Sequence, residues 1–219
     1  MLFCQDVPKK RLLTRNRNNT MKLKVFTVLA LCSLFSLTGC LNVGAPALPD
    51  SATFYLLASR SVSPTSCFLC GHHVYVRAVT LPGYLESNKI AVRDNYRINY
   101  SIEHQWSESL QQSVTRCISE ALLAATSPSA MTFWPEPMSK DVEYLLQVNF
   151  SRFNGTEKGT IEVEGNWQIV NSKDHSLVKS GKFEDYSGTY NKTTTDSLVK
   201  GLSNALGRVS EQIVQGIGE

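Results

Sequence analysis

The chain has 219 residues, 22 lysines and arginines against 19 acids, and a formal net charge of +3. Seven of the basic residues and one acid lie in residues 1–39. The remainder carries 15 basic and 18 acidic residues, so its net charge is −3 and no basic patch argues for a nucleic-acid partner.

The charge divides there because the N-terminus reads as an export signal. Met21 opens it, Lys22 and Lys24 supply a positive start, and residues 25–37 are a 13-residue apolar run. That run is short for a spanning helix, which needs about 20 apolar residues, and it suits a signal segment. It ends in Leu37-Thr38-Gly39-Cys40, the pattern of a bacterial lipoprotein processing site. The expectation is cleavage before Cys40 and lipid on its thiol, with residues 1–20 an upstream start extension. A cysteine carrying several acyl chains would hold the protein to a membrane. Leu41 rather than an aspartate follows the cysteine, which in an enterobacterial-type sorting system selects the outer membrane over the inner.

Residues 40–52 are rich in proline, glycine and alanine and read as a tether. The folded domain is expected over residues 53–219. A strand is predicted at 53–59, and residues 60–71 form a loop. Residues 73–79 alternate with Val74 and Val76 on one face and predict a second strand. Leu81-Pro82-Gly83-Tyr84-Leu85 breaks the pattern into a turn. Residues 89–93 and 96–103 read as strands joined at Asp94-Asn95. From Trp106 the period becomes helical: Trp106, Leu110, Val114, Cys117, Ile118, Ala121 and Leu122 fall on one stripe. Ser127-Pro128 should end that helix. After a further short strand come three more, at 142–153, 159–171 and 177–184, which predict an antiparallel meander. Leu198, Leu202, Leu206, Val209, Ile213 and Ile217 then mark a final helix over 194–217, with N-cap candidates at Thr193 to Thr195. The expected class is α+β: a largely antiparallel sheet with two amphipathic helices on one face.

Three stretches carry a family resemblance: the strand TFYLLAS after the tether, the run Val74 to Tyr100 containing Leu81-Pro82 and Tyr84-Leu85, and QWSESL at Gln105–Leu110. With them the chain resembles the ABC-type transport auxiliary lipoproteins, which include the paraquat-inducible C-type lipoprotein. The resemblance is close to about Leu123 and then holds only in element order. It implies a non-enzymatic accessory of a lipid-transport system, anchored in the outer membrane and facing the periplasm. The partners it implies are an MCE-domain protein and ABC transporter components, and further copies of the chain are a candidate partner. The sequence departs from the family pattern at His104-Gln105 and in the cysteine-bearing loop.

The strongest chemical signal is Cys67-Phe68-Leu69-Cys70-Gly71-His72-His73. In an oxidising compartment a Cys67–Cys70 disulfide is the default reading. Unpaired thiols, pairing with Cys117, a metal site and a redox pair remain alternatives. The spacing of the histidines does not fit a usual zinc pattern, and no cofactor motif or catalytic elbow occurs. Glu162 and Glu164 read as a solvated strand face, and His104 and His175 stand alone. Phe133, Trp134 and Pro135, an aromatic–proline loop, form the candidate partner surface. The alternative function is a stand-alone lipoprotein that binds a hydrophobic ligand in a cavity between sheet and helices.

Overall fold

The computed structural model describes residues 52–60, 62–63, 68–126, 128 and 130–218. The signal segment, Cys40 and Cys67 lie outside the described residues, as does the tether except Ala52. Eight strands and two long helices follow: β1 Thr53–Tyr55, β2 His73–Val76, β3 Lys89–Asp94, β4 Arg97–Trp106, α1 Leu110–Thr126, β5 Ala130–Phe133, β6 Tyr144–Thr156, β7 Ile161–Asn171, β8 Leu177–Asp185 and α2 Thr195–Gly218. The class is α+β, as the pattern predicts.

One mixed sheet holds all eight strands, and β6 is its spine. One edge of β6 pairs antiparallel with β7 along nearly its whole length. The other edge is shared end to end. Tyr144–Leu146 pairs with β2, Asn149 bridges Thr80, and Gly155–Thr156 pairs with β3. Beyond β2 lies β5, beyond β3 lies β4, and β1 closes the far end. The long ladders β6–β7, β7–β8 and β3–β4 are antiparallel, and the parallel pairings are short.

The strands show why one face is covered. In β7, Ile161, Val163, Gly165, Trp167 and Ile169 are buried, while Glu162, Glu164, Asn166 and Gln168 alternate outward. A period of two puts the first set on the core face. Helix α2 buries Leu198, Leu202, Leu206, Val209, Ile213 and Ile217 against this face. Helix α1 buries Leu110, Val114, Cys117, Ile118, Ala121 and Leu122 into the same core. Phe150, Phe153 and Phe183 meet edge to face inside it, with centroids 5.0 and 5.7 Å apart.

Trp106 is a correction to the sequence reading. It is the last residue of β4, not the first of a helix: its N–H donates to the Asn88 carbonyl at 2.7 Å and it registers with Tyr55. The helix starts after Ser109, whose Oγ accepts the Gln112 N–H at 3.2 Å as an N-cap does. Trp106 and Leu110 share a core through two different elements, and that imitates helical spacing. β1 and β2 are also shorter than predicted, ending at Tyr55 and Val76.

The Leu81–Leu85 turn has a structural task. Thr80 extends the sheet, accepting the Phe150 N–H and donating to the Val148 carbonyl, both at 2.9 Å. Gly83–Leu85 then forms one 3-10 turn that buries Leu85. Tyr84 donates its hydroxyl to Asn154 Oδ1 at 2.8 Å, and Tyr100 donates to the Tyr84 carbonyl at 2.8 Å. The turn therefore carries the chain along β6 from β2 to β3.

Candidate functional site: an aromatic groove on the open face of the sheet

On the face opposite the helices, Tyr75 packs against the buried trio Val142, Leu145 and Val170. Tyr75 lies between Val74 and Val76, which point into the main core, so strand alternation aims it outward. Trp134 extends β5 by donating its N–H to the Val76 carbonyl at 3.0 Å. The Trp134–Pro135 bond is cis. The Glu136 N–H returns to the Phe133 carbonyl at 3.0 Å, and the Tyr75 hydroxyl donates to the Glu136 carbonyl at 2.8 Å. The segment then crosses to β6, where the Glu143 N–H donates to the His73 carbonyl at 2.9 Å. Ser172 binds the Val142 carbonyl through its hydroxyl.

These contacts frame a groove of about 440 Å3. Tyr75, Trp134, Met138 and Leu145 line it, together with the polar side chains of Arg77 and His175. Met138 is 51% exposed. His175 sits in the β7–β8 turn with φ of +57°, a left-handed position that histidine tolerates better than most residues, and its N–H donates to the Asn171 carbonyl at 3.1 Å. The sequence trio divides here. Trp134 lines the groove and Pro135 is exposed beside it, whereas Phe133 packs against the main core. Tyr75, Arg77, Met138 and Leu145 were not singled out from the sequence. The signal for Tyr75 and Arg77 was present in the alternation that marks Val74 and Val76 as core.

The cysteine–histidine run is described from Phe68 onward. Cys70 Sγ lies 2.7 Å from the Thr126 carbonyl. The His72 ring stacks near Phe68, stands edge-on to Tyr144 at 5.0 Å, and bonds Glu143 through Nδ1 at 2.8 Å. That bond and the His73 N–H hold the Glu143 carboxyl below its ordinary range. Cys117 is a free, buried thiol, and burial pushes its pKa up to about 11, so it stays protonated. Among the described residues, no three metal-ligating side chains converge.

The remaining expected residues serve the sheet. Arg152 sits between Glu162 and Glu164, with both ion pairs at 3.6 Å, and the Tyr186 hydroxyl donates to Glu164 at 2.7 Å. His104 stands edge-on to Tyr55, its Nδ1 buried without a hydrogen-bond partner. Between sheet and helices, the facing side chains Val148, Val163, Ile169, Val209 and Ile213 are at most 1% exposed and fill the space in which an internal ligand would have to lie.

The described part of the molecule is thus a helix-backed sheet with a largely apolar groove on its outer face. No described helix is long and apolar enough to cross a membrane. Comparison with solved structures shows the same fold in a Xanthomonas campestris protein assigned to the family model DUF330, with 18% identity, a TM-score of 0.64, and coverage of 74% of this chain and 93% of that one. An uncharacterized protein matches with 19% identity and a TM-score of 0.61 over 77% of this chain and all of the other. A PelC dodecamer from Paraburkholderia phytofirmans aligns at 12% identity with a TM-score of 0.44, over 73% of this chain and 98% of that one. No curated protein sequence matches the chain. The family model for the ABC-type transport auxiliary lipoprotein component matches residues 55–214, so the chain belongs to that family.

Proposed function

We propose that the chain is a lipid-anchored accessory protein, held to the outer membrane through Cys40 and facing the periplasm, within an MCE/ABC-type system that moves lipid between the two membranes. The observation that carries this reading is the family match across residues 55–214. The signal segment ending at Cys40 supports the anchor, and the Trp134–Pro135 groove supports a role in binding protein partners. The domain would act as a rigid platform, with its tether spanning residues 40–52 and no bond-making step assigned to it.

Crosslinking in the producing cells, followed by capture of the tagged full-length chain, should recover an MCE-domain protein or an ABC transporter subunit. Cys40→Ala should release the protein from the membrane fraction and abolish that recovery. Recovery of neither component from crosslinked wild-type cells would overturn the assignment.

A further inference from the structure

The groove combines uncovered apolar surface with a cation that pairs with none of the described residues. Arg116 is ion-paired to Glu108 and Glu120, Arg152 to Glu162 and Glu164, and Arg208 to Asp185. Arg77 is exposed, and among the described residues its guanidinium, like those of Arg60 and Arg97, has no hydrogen-bond or ion-pair partner; of these three it is Arg77 that lines the groove. Nearby Asp174 is engaged locally, its Oδ1 accepting the Ser176 N–H at 3.0 Å and the Ser176 hydroxyl at 2.7 Å. A guanidinium presents a planar fork of donors that matches a carboxylate through two parallel bonds. His175, held in a left-handed turn, also lines the groove.

We propose that this groove docks an extended segment of a partner protein that places one carboxylate at Arg77 and a large aliphatic or aromatic side chain against Trp134, Met138 and Leu145. This rests on the reading of the chain as a member of an assembly. A peptide fits better than a lipid tail for a physical reason. At about 440 Å3 the groove is at the lower end of small-ligand sites, and it lies open to solvent along one side. An acyl chain there would keep water along its length. A peptide seats one side chain and leaves its backbone hydrated on the open side. Apolar contact would supply affinity and the Arg77–carboxylate pair the choice of partner.

The test uses the full-length chain in non-ionic detergent and a fluorescein-labelled ten-residue peptide with one glutamate between two leucines. Its control carries glutamine in place of the glutamate. Fluorescence anisotropy should show wild type binding the glutamate peptide at least fivefold tighter than the control. Arg77→Glu should remove that preference and weaken the glutamate peptide about tenfold, and Met138→Asp should weaken both peptides. Both positions are exposed, and unchanged melting temperatures would show that the variants fold; should Arg77→Glu melt early, Arg77→Gln takes its place with the same expectation.

Equal binding of the two peptides by wild type, or full affinity in the Arg77 variant, overturns the proposal. So does Arg77-dependent quenching of tryptophan fluorescence by phosphatidylglycerol with brominated acyl chains, added to the micelles, when the peptide does not bind. These failures leave the crosslinking outcome untouched, and a failed crosslink leaves the peptide result standing.

Discussion

Asp185 shows how much one side chain organises. Its Oδ2 accepts the Arg208 Nη2–H at 2.7 Å and the Nε–H at 3.1 Å, and its Oδ1 accepts the Ser187 hydroxyl at 2.6 Å and N–H at 3.1 Å. The end of β8 is thereby tied to the middle of α2. Burial alone would raise the carboxyl pKa, but the Arg208 guanidinium and Ser187 outweigh it and hold the pKa below its ordinary 3.8. A carboxylate with a depressed folded-state pKa contributes stability above the unfolded pKa and loses it as pH falls through the folded one. Asp185→Asn should therefore cost about 2–3 kcal/mol at neutral pH, and the gap to wild type should shrink as pH drops below about 4. Denaturant titrations of both proteins between pH 7 and 3 measure it, and a gap that stays constant across that range would refute the account. The importance of Asp185 was not legible from the sequence, because nothing local marks which of several arginines its carboxylate will meet.

Among the elements, the seat of Trp167 decides how closely α2 approaches the sheet. The indole is 2% exposed and lies between Gly181 of β8 and Gly216 of α2, where an added Cβ would come within 2.8 Å of the ring in each case. A ring that size fits between a strand and a helix only where both neighbours lack side chains. Gly216→Val should push α2 off its seat and destabilise by about 1–3 kcal/mol, read as a lower midpoint in urea, despite valine's better helix propensity. A higher midpoint would mean that the helix end yields freely. A few residues on, the Gln212 side chain donates to the Glu184 carbonyl at 2.8 Å and accepts the Glu184 N–H at 3.1 Å. That amide stands in for a neighbouring strand at the edge of β8, where unpaired backbone invites another chain. Helix α1 does the same for Val79, whose carbonyl accepts from Gln111 at 2.8 Å and whose N–H donates to Thr115 at 3.1 Å. Periodicity made the two helices legible. Their starts depended on the difference between Ser109 as a cap and Trp106 as a strand end, which spacing alone does not separate.

In the whole molecule, α2 is the last of the described elements and closes the core. At roughly 1.5 kcal/mol each, its six striped apolar side chains contribute about as much as the net stability of an ordinary domain, some 5–15 kcal/mol. A chain ending at Thr194 should show no cooperative thermal transition by near-UV circular dichroism, and a cooperative transition in it would refute the role given to α2. The α+β class and the β6–β7–β8 meander were legible in the sequence because those contacts are local. The parallel pairing of β2 and β3 along one edge of β6 was not, since that register is set by partners far apart in the chain. This spine also imposes an order in time. A polypeptide leaving the ribosome N-terminus first delivers β2 and β5 before any of β6 exists to receive β2. At about 5–20 residues per second, the wait from β6 to the end of α2 is on the order of ten seconds. Until then, strand edges and apolar faces stand open to chaperones. The arrangement that makes the finished sheet one piece leaves the unfinished chain without a closed core until its last helix arrives.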